Sequence, residues 1–178
     1  MPASGLAERF QARIEEHKGI LYRICSSYCR NPDDRDDLAQ EIVIALWRSF
    51  PSFDEGRRFS TWMYRVALNV AISFHRRDAT RRRVVIADGD HLLETAREPE
   101  RPSDDLRILS EFIDRLDPFH KALVLLYLEG RSQEEIAEVL GITETNVATK
   151  IGRIKERLKR EFRPKELPRE GERHDGSR

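Results

Sequence analysis

Apolar residues recur along most of this chain every three or four positions, the spacing of a helix that buries one face. Phe10, Ile14, Leu21, Ile24 and Tyr28 mark such a face between about Glu8 and Cys29, and Asn31-Pro32 stops it. A second helix is predicted from about Asp33 to Phe50, with Leu38, Ile42, Val43, Leu46, Trp47 and Phe50 on its apolar side. Acids crowd its first turn, where the helix dipole favours negative charge, and Pro51 ends it. Residues 52–58 read as a loop hinged on Gly56. A third helix is predicted from Ser60, which can cap it, to about Arg82, with Trp62, Val66, Val70 and Phe74 as its core stripe.

The periodicity then lapses. Residues 84–104 hold two Pro, Gly89 and many acids, the composition of a linker. It returns at Leu106, and Leu109, Phe112, Ile113 and Leu116 fit a helix that ends before Asp117-Pro118. That pair starts the next helix, Asp117 as cap and Pro118 in the first position, and Gly130 closes it after Ala122, Leu123, Leu126 and Tyr127. Strand-like runs are nearly absent. The expected fold is all-α: two small helical domains, 8–83 and 105–163, joined by a flexible acidic linker at 84–104. A loose leader is expected over 1–7 and a disordered tail over 164–178.

The stretch from Ser132 to Arg160 carries the most information. Ser132 with Glu135 three residues on makes a capping box. Ile136, Ala137 and Leu140 form an apolar stripe, and Gly141 supplies the left-handed residue that ends a helix. Thr143 can cap a further helix, whose stripe is Val147, Ile151, Ile154 and Leu158. Its other face carries Thr145, Asn146, Thr149, Lys150 and Arg153, side chains that read base edges and hold phosphates. The pattern is a helix-turn-helix, and it points to DNA.

Net charge at first argues against that reading, since 32 basic and 32 acidic residues cancel. The distribution reverses it. Residues 57–83 hold eight Arg and one Asp, a net of +7, and residues 150–163 carry +5. Residues 33–41 carry −4 and residues 88–105 carry −5. Such blocks suit separate surfaces for separate partners. No apolar run approaches membrane-spanning length and MPASGLAERF has no signal core, so a cytoplasmic protein without membrane insertion is expected. Cys25 and Cys29 sit four apart on a helix; they read as buried small apolar residues rather than as a disulfide or a metal site.

The basic block is interleaved with aromatic residues, as a single-stranded DNA surface requires. Arginines hold the backbone, and Phe59, Trp62 or Tyr64 could stack on an unpaired base while Ser60, Thr61 and Asn69 read its edge. Trp62 falls on the core stripe, whereas Phe59 and Tyr64 are less committed to the interior. Two alternatives stand beside this one. A dimeric repressor using the same reader would bind a palindrome, but would leave the aromatic basic helix unexplained. A metal-dependent nuclease built on Asp33, Asp34, Asp36 and Asp37 would have ligands pointing in several directions, a poor cage. No metal, cofactor or catalytic residue is expected.

Taken in order, DDLAQEIVIALW, FSTWMYRVALNVAISFHRR and SQEEIAEVLGITETNVATKIGRIKERL resemble the extracytoplasmic-function sigma factors of the sigma-70 family, over about Phe10 to Arg160. The resemblance implies a non-enzymatic promoter-specificity subunit. Asp37, Leu38, Gln40, Glu41, Leu46 and Trp47 would dock on the clamp coiled coil of the largest subunit of RNA polymerase. Arg57, Arg58, Phe59, Ser60, Thr61, Tyr64, Arg65, Asn69, Arg76 and Arg77 would open and read the minus-ten element. Thr143, Thr145, Asn146, Thr149, Lys150 and Arg153 would read the minus-thirty-five element. The linker would thread toward the polymerase active-site cleft, its acids mimicking nucleic acid in a basic channel. The flap region of the polymerase and an anti-sigma factor are the further partners implied. Ala148 departs from the family pattern, which often has a basic residue or hydroxyl there; its methyl could touch a thymine methyl or face the backbone.

Overall fold

The computed structural model of the chain describes residues 3–86 and 104–162. Their regular structure is helical: α1 (Ala3–Tyr28), α2 (Pro32–Ser49), a 3-10 turn at Phe50–Ser52, α3 (Phe59–Ile86), α4 (Asp104–Asp114), α5 (Pro118–Leu128), α6 (Gln133–Leu140) and α7 (Glu144–Phe162). The expected linker, apart from its first three residues and Asp104, and the expected tail lie outside the described residues. None of these helices is long and apolar enough to cross a membrane.

Two elements run longer than the periodicity predicts. α1 begins at Ala3, inside the expected leader, because Leu6 continues the Phe10–Ile14 stripe one turn upstream and packs on the core. α3 continues to Ile86, since nothing from Arg77 to Ile86 is a helix breaker. It also starts at Phe59, before Ser60. The preceding loop turns on Asp54 rather than on Gly56: the Asp54 carboxylate accepts the Gly56 N–H at 2.9 Å, and the Asp54 carbonyl accepts the Arg57 N–H at 3.0 Å. Only Gly130 and Gly141 among the described glycines take a positive φ.

The remaining helix ends follow their local chemistry. The Asn31 side chain accepts the Asp33 N–H at 2.9 Å and caps α2. Asp117 accepts the Phe119 and His120 N–H groups, each at 3.1 Å, with Pro118 in the first turn of α5. Ser132 and Glu135 complete a reciprocal capping box, and Gly141 at φ +68° ends α6. Thr143 Oγ1 accepts the Asn146 N–H at 3.3 Å at the start of α7.

α3 is the central element. It packs on α1 and α2 on one side and on α5 and α6 on the other. Met63, Tyr64, Ala67, Leu68, Ala71 and Ile72 are therefore its buried residues. The predicted stripe of Trp62, Val66, Val70 and Phe74 is only half-buried, at the margin of that core. Ala67 and Ala71, fully buried, put small side chains in that core. The result is one continuous core through α1–α3 and α5–α7, with a small satellite of Phe112, Leu116 and Val124 beside α4 and α7. Cys25, in α1, and Cys29, one residue past its end, are both buried and not bridged, and burial, then the neighbouring Cys29, pushes the Cys25 thiol up to about 11.

Candidate nucleic-acid interface

α7 divides along its length. Val147 and Ile151 are buried, while Thr143, Thr145, Asn146, Thr149 and Arg153 are exposed and Lys150 is half-exposed. One face is thus spent on holding the helix and the other is open. Ala148 lies on the open face. The structure adds two residues that the pattern did not single out. His120, from the first turn of α5, and Arg157 join Lys150, Arg153 and Ile154 around a cleft of about 300 Å³. Lys150 Nζ stands 5.6 Å from the Phe119 ring centre and the Arg157 guanidinium 5.5 Å from that of Phe112, so both stems lie along apolar rings. Burial raises the Asp117 carboxyl, but its contacts with His120 and the amides of the α5 N-terminus hold it below the usual carboxylate range. Three cations and an imidazole thus line one cleft beside the exposed stripe.

The second basic region lies on the loop before α3 and along α3 itself. Arg57, Arg58, Arg65, Asn69, Arg76 and Arg77 are exposed and Ser60 is half-exposed. Phe59, Thr61 and Tyr64 are buried. The ring expectations thus invert. Tyr64 is fully enclosed; its hydroxyl donates to the Glu129 carboxylate of the loop after α5, and the Arg131 guanidinium lies 4.9 Å from its ring centre. Burial, then that carboxylate, pushes the Tyr64 hydroxyl up. Phe59 packs edge-on to Phe53 at 5.4 Å and beside Trp62 at 5.2 Å. Trp62 and Phe53, 5.0 Å apart, are the half-exposed members of this aromatic group and the rings with a surface to offer. Phe53 carried no signal in the sequence because it lies in a loop, outside any periodic stripe.

On α2 the residues expected to dock on a partner separate into two sets. Leu38 and Leu46 are fully buried and hold α2 against α1 and α3, so their surface is spent on the fold. Asp37, Gln40 and Trp47 are exposed, and Glu41 is half-exposed and paired with Arg77 of α3. Beside them Ile44 is 49% exposed and Trp47 41%, an apolar outlay that a solvated helix face does not need. Ala39, Gln40, Val43 and Ile44 line a shallow apolar recess there. Ile44, which the sequence pattern did not single out, is the more exposed of these two apolar side chains and lines the recess with Val43.

Residues 13–82 match the family model for sigma-70 region 2, and residues 106–158 match that for sigma-70 region 4. The chain is 30% identical to the ECF RNA polymerase sigma factor SigW of Bacillus subtilis, over 89% of this chain and 91% of that protein. The chain belongs to the extracytoplasmic-function sigma factors of the sigma-70 family. Among solved structures, the sigma factor RpoE of Bartonella quintana, in complex with the anti-sigma factor NepR, shares its fold at a TM-score of 0.67 and 22% identity. That match covers 86% of this chain and 96% of that one. CnrH, a sigma factor of Cupriavidus metallidurans, matches in its complex with the cytosolic domain of CnrY. There the TM-score is 0.62 and the identity 25%, over 89% of this chain and 90% of that one. In this sigma factor region 2 spans α1–α3 and region 4 spans α4–α7. It is accordingly a transcription-initiation factor that works with RNA polymerase and promoter DNA, and the helix-turn-helix is one part of that machinery.

Proposed function

We propose that this sigma factor grips a promoter at two points and docks on core polymerase through α2. The observation that carries the reading is the open face of α7, which presents Thr145, Asn146, Thr149, Lys150 and Arg153 on a helix whose other side is fixed by Val147 and Ile151. Thr143 joins them at the helix start. This face enters the major groove of the minus-thirty-five element, and His120 and Arg157 hold a phosphate at its edge. Arg57, Arg58, Arg65, Arg76 and Arg77 follow the backbone of the minus-ten element. Trp62 and Phe53 give an extruded base its stacking surface, with Ser60 and Asn69 at its edge. Phe59, Thr61 and Tyr64 support that surface until the two regions separate.

Trp47 and Ile44 are the apolar anchors on the clamp coiled coil, ringed by Asp37, Gln40 and Glu41; Leu38 and Leu46 act by holding α2 in place. The functional division is 8–83 and 105–163, with 84–104 crossing the polymerase between them. The factor acts in the cytoplasm without a catalytic site of its own. RpoE is seen in complex with the anti-sigma factor NepR and CnrH with the cytosolic domain of CnrY, and that likeness supports an anti-sigma partner here.

Run-off transcription with core polymerase tests the reading. Core plus this protein should start at defined sites that core alone ignores. Ile44→Ala and Trp47→Ala should abolish co-purification with core while leaving the helical content intact. A folded protein that neither binds core nor directs initiation at any genomic promoter sinks the proposal.

A further inference from the structure

Four ion pairs join region 2 to region 4 among the described residues, and all four have the same polarity. Arg23 of α1 pairs with Glu129, Arg30 with Asp114, Arg57 with Glu138 at 3.3 Å, and Arg58 with Glu135 at 2.9 Å. Every cation comes from region 2 and every carboxylate from region 4. The buried Tyr64 hydroxyl donates in the same sense, to Glu129. Glu135 and Glu138 are three apart on α6 and form one edge of the first helix of the helix-turn-helix. Arg57 and Arg58 stand immediately before α3, in the part of the chain assigned above to the backbone of the minus-ten element.

We infer that the acidic edge of α6 formed by Glu135 and Glu138 is an internal competitor of nucleic acid for Arg57 and Arg58 of region 2, and that the pairs of Asp114 with Arg30 and of Glu129 with Arg23 hold it there. Carboxylates occupy guanidinium groups that would otherwise take phosphates, and the two occupants exclude one another. Singly, exposed pairs of this kind contribute little. Here the competitor is tethered in the same chain, so its effective concentration is high and it need not bind tightly. The aromatic surface is coupled to the same event, because Tyr64 is enclosed by Glu129 and Arg131 of region 4. Opening the chain therefore frees Arg57 and Arg58 and uncovers Tyr64 together. Any partner that separates the regions, core polymerase included, would raise the affinity of region 2 for single-stranded DNA without touching it. The inference rests on the assignment of residues 57–77 to DNA.

The test uses the full chain without polymerase and a fluorescein-labelled single-stranded oligonucleotide. Glu138→Gln removes one pair and keeps the shape of the side chain. Glu134→Gln, one turn away on the exposed side of α6, changes the net charge equally and touches no pair across the regions. Glu138→Gln should tighten binding by about threefold and Glu129→Gln/Glu138→Gln by about tenfold, with a larger radius of gyration in scattering. Glu134→Gln should leave both unchanged. Equal affinities for Glu138→Gln and Glu134→Gln, or a gain in affinity with no expansion, overturns the inference. If the double variant loosens the fold, Glu138→Gln alone decides, since Glu138 is exposed and caps nothing. The outcome is separable from the sigma reading. Normal run-off with no effect of Glu138→Gln defeats the internal competitor alone, and absent run-off with tighter oligonucleotide binding defeats the proposed promoter grip and docking alone.

Discussion

Lys121 is 5% exposed in a helix otherwise composed for a core, and a buried ammonium is costly unless it is paired and hydrogen-bonded. Its Nζ donates to the Ser27 carbonyl of α1 and to the Asp114 carboxylate of α4, each at 3.2 Å, and lies 5.9 Å from the Tyr28 ring centre. The Tyr28 hydroxyl donates to the Pro118 carbonyl at 2.6 Å, so one small site ties α1, α4 and α5 together. Lys121→Ala should lower stability by about 1–3 kcal/mol, read as a shift of the urea midpoint at unchanged slope. Lys121→Met keeps the aliphatic stem and should recover part of that loss. A midpoint equal to wild type for Lys121→Ala would mean that the ammonium contributes nothing beyond its own desolvation.

At the scale of elements, α6 and α7 are held by chemistry written in consecutive residues. Ser132→Ala removes half of the capping box and should cost about 1 kcal/mol, with faster amide exchange confined to 133–140. Lys150→Ala and Arg153→Ala should leave stability near wild type and lower the slope of log affinity against log salt by about one unit for each phosphate that is no longer neutralised. Arg157→Ala should do the same if its cleft takes a phosphate, whereas an unchanged slope means that Arg157 holds none. The legibility of the sequence follows the same division. Ser132, Glu135, Gly141, Asp117 and Pro118 each act within four residues of themselves, so the ends of α5 and α6 and the start of α7 are readable directly. The open face of α7 follows from its own periodicity. Where a residue answers to a distant neighbour, the sequence is silent. Tyr64 looks uncommitted because Glu129 and Arg131, its partners, lie far along the chain. A single stripe on α3 draws Trp62 inward and leaves Tyr64 outside, whereas the helix in fact serves two sides. The family resemblance places Leu38 and Leu46 at an interface, although the i, i+4, i+8 spacing with Ile42 already marks them as core.

For the whole molecule, the contact between the two regions is electrostatic at its rim and therefore depends on pH. Burial raises the Asp114 carboxyl, but Arg30 and Lys121 hold it below its ordinary range. The Ser132 amide, then Arg131 and Arg58, do the same for Glu135 against a small cost of burial. Only Arg30 and Arg58 among these causes come from region 2, and the share of each lowering that they supply favours closure at every pH above the acid's ordinary value. That contribution fades as pH falls through the lowered value. Tyr64 acts in the opposite direction: its hydroxyl is raised, so its share is complete below the ordinary tyrosine range and is lost as pH rises through the raised value. Closure should accordingly be firmest around neutrality and weaken on both sides. Scattering at fixed salt, from neutral pH down to about pH 3, should record an expansion that precedes the loss of helical ellipticity. Asp114→Asn lacks one of the titrating carboxylates, so its expansion should be less steep with pH. Because the ordinary carboxylate pKa is about 4, an expansion already complete at pH 6 would assign the transition to histidine rather than to this acidic edge.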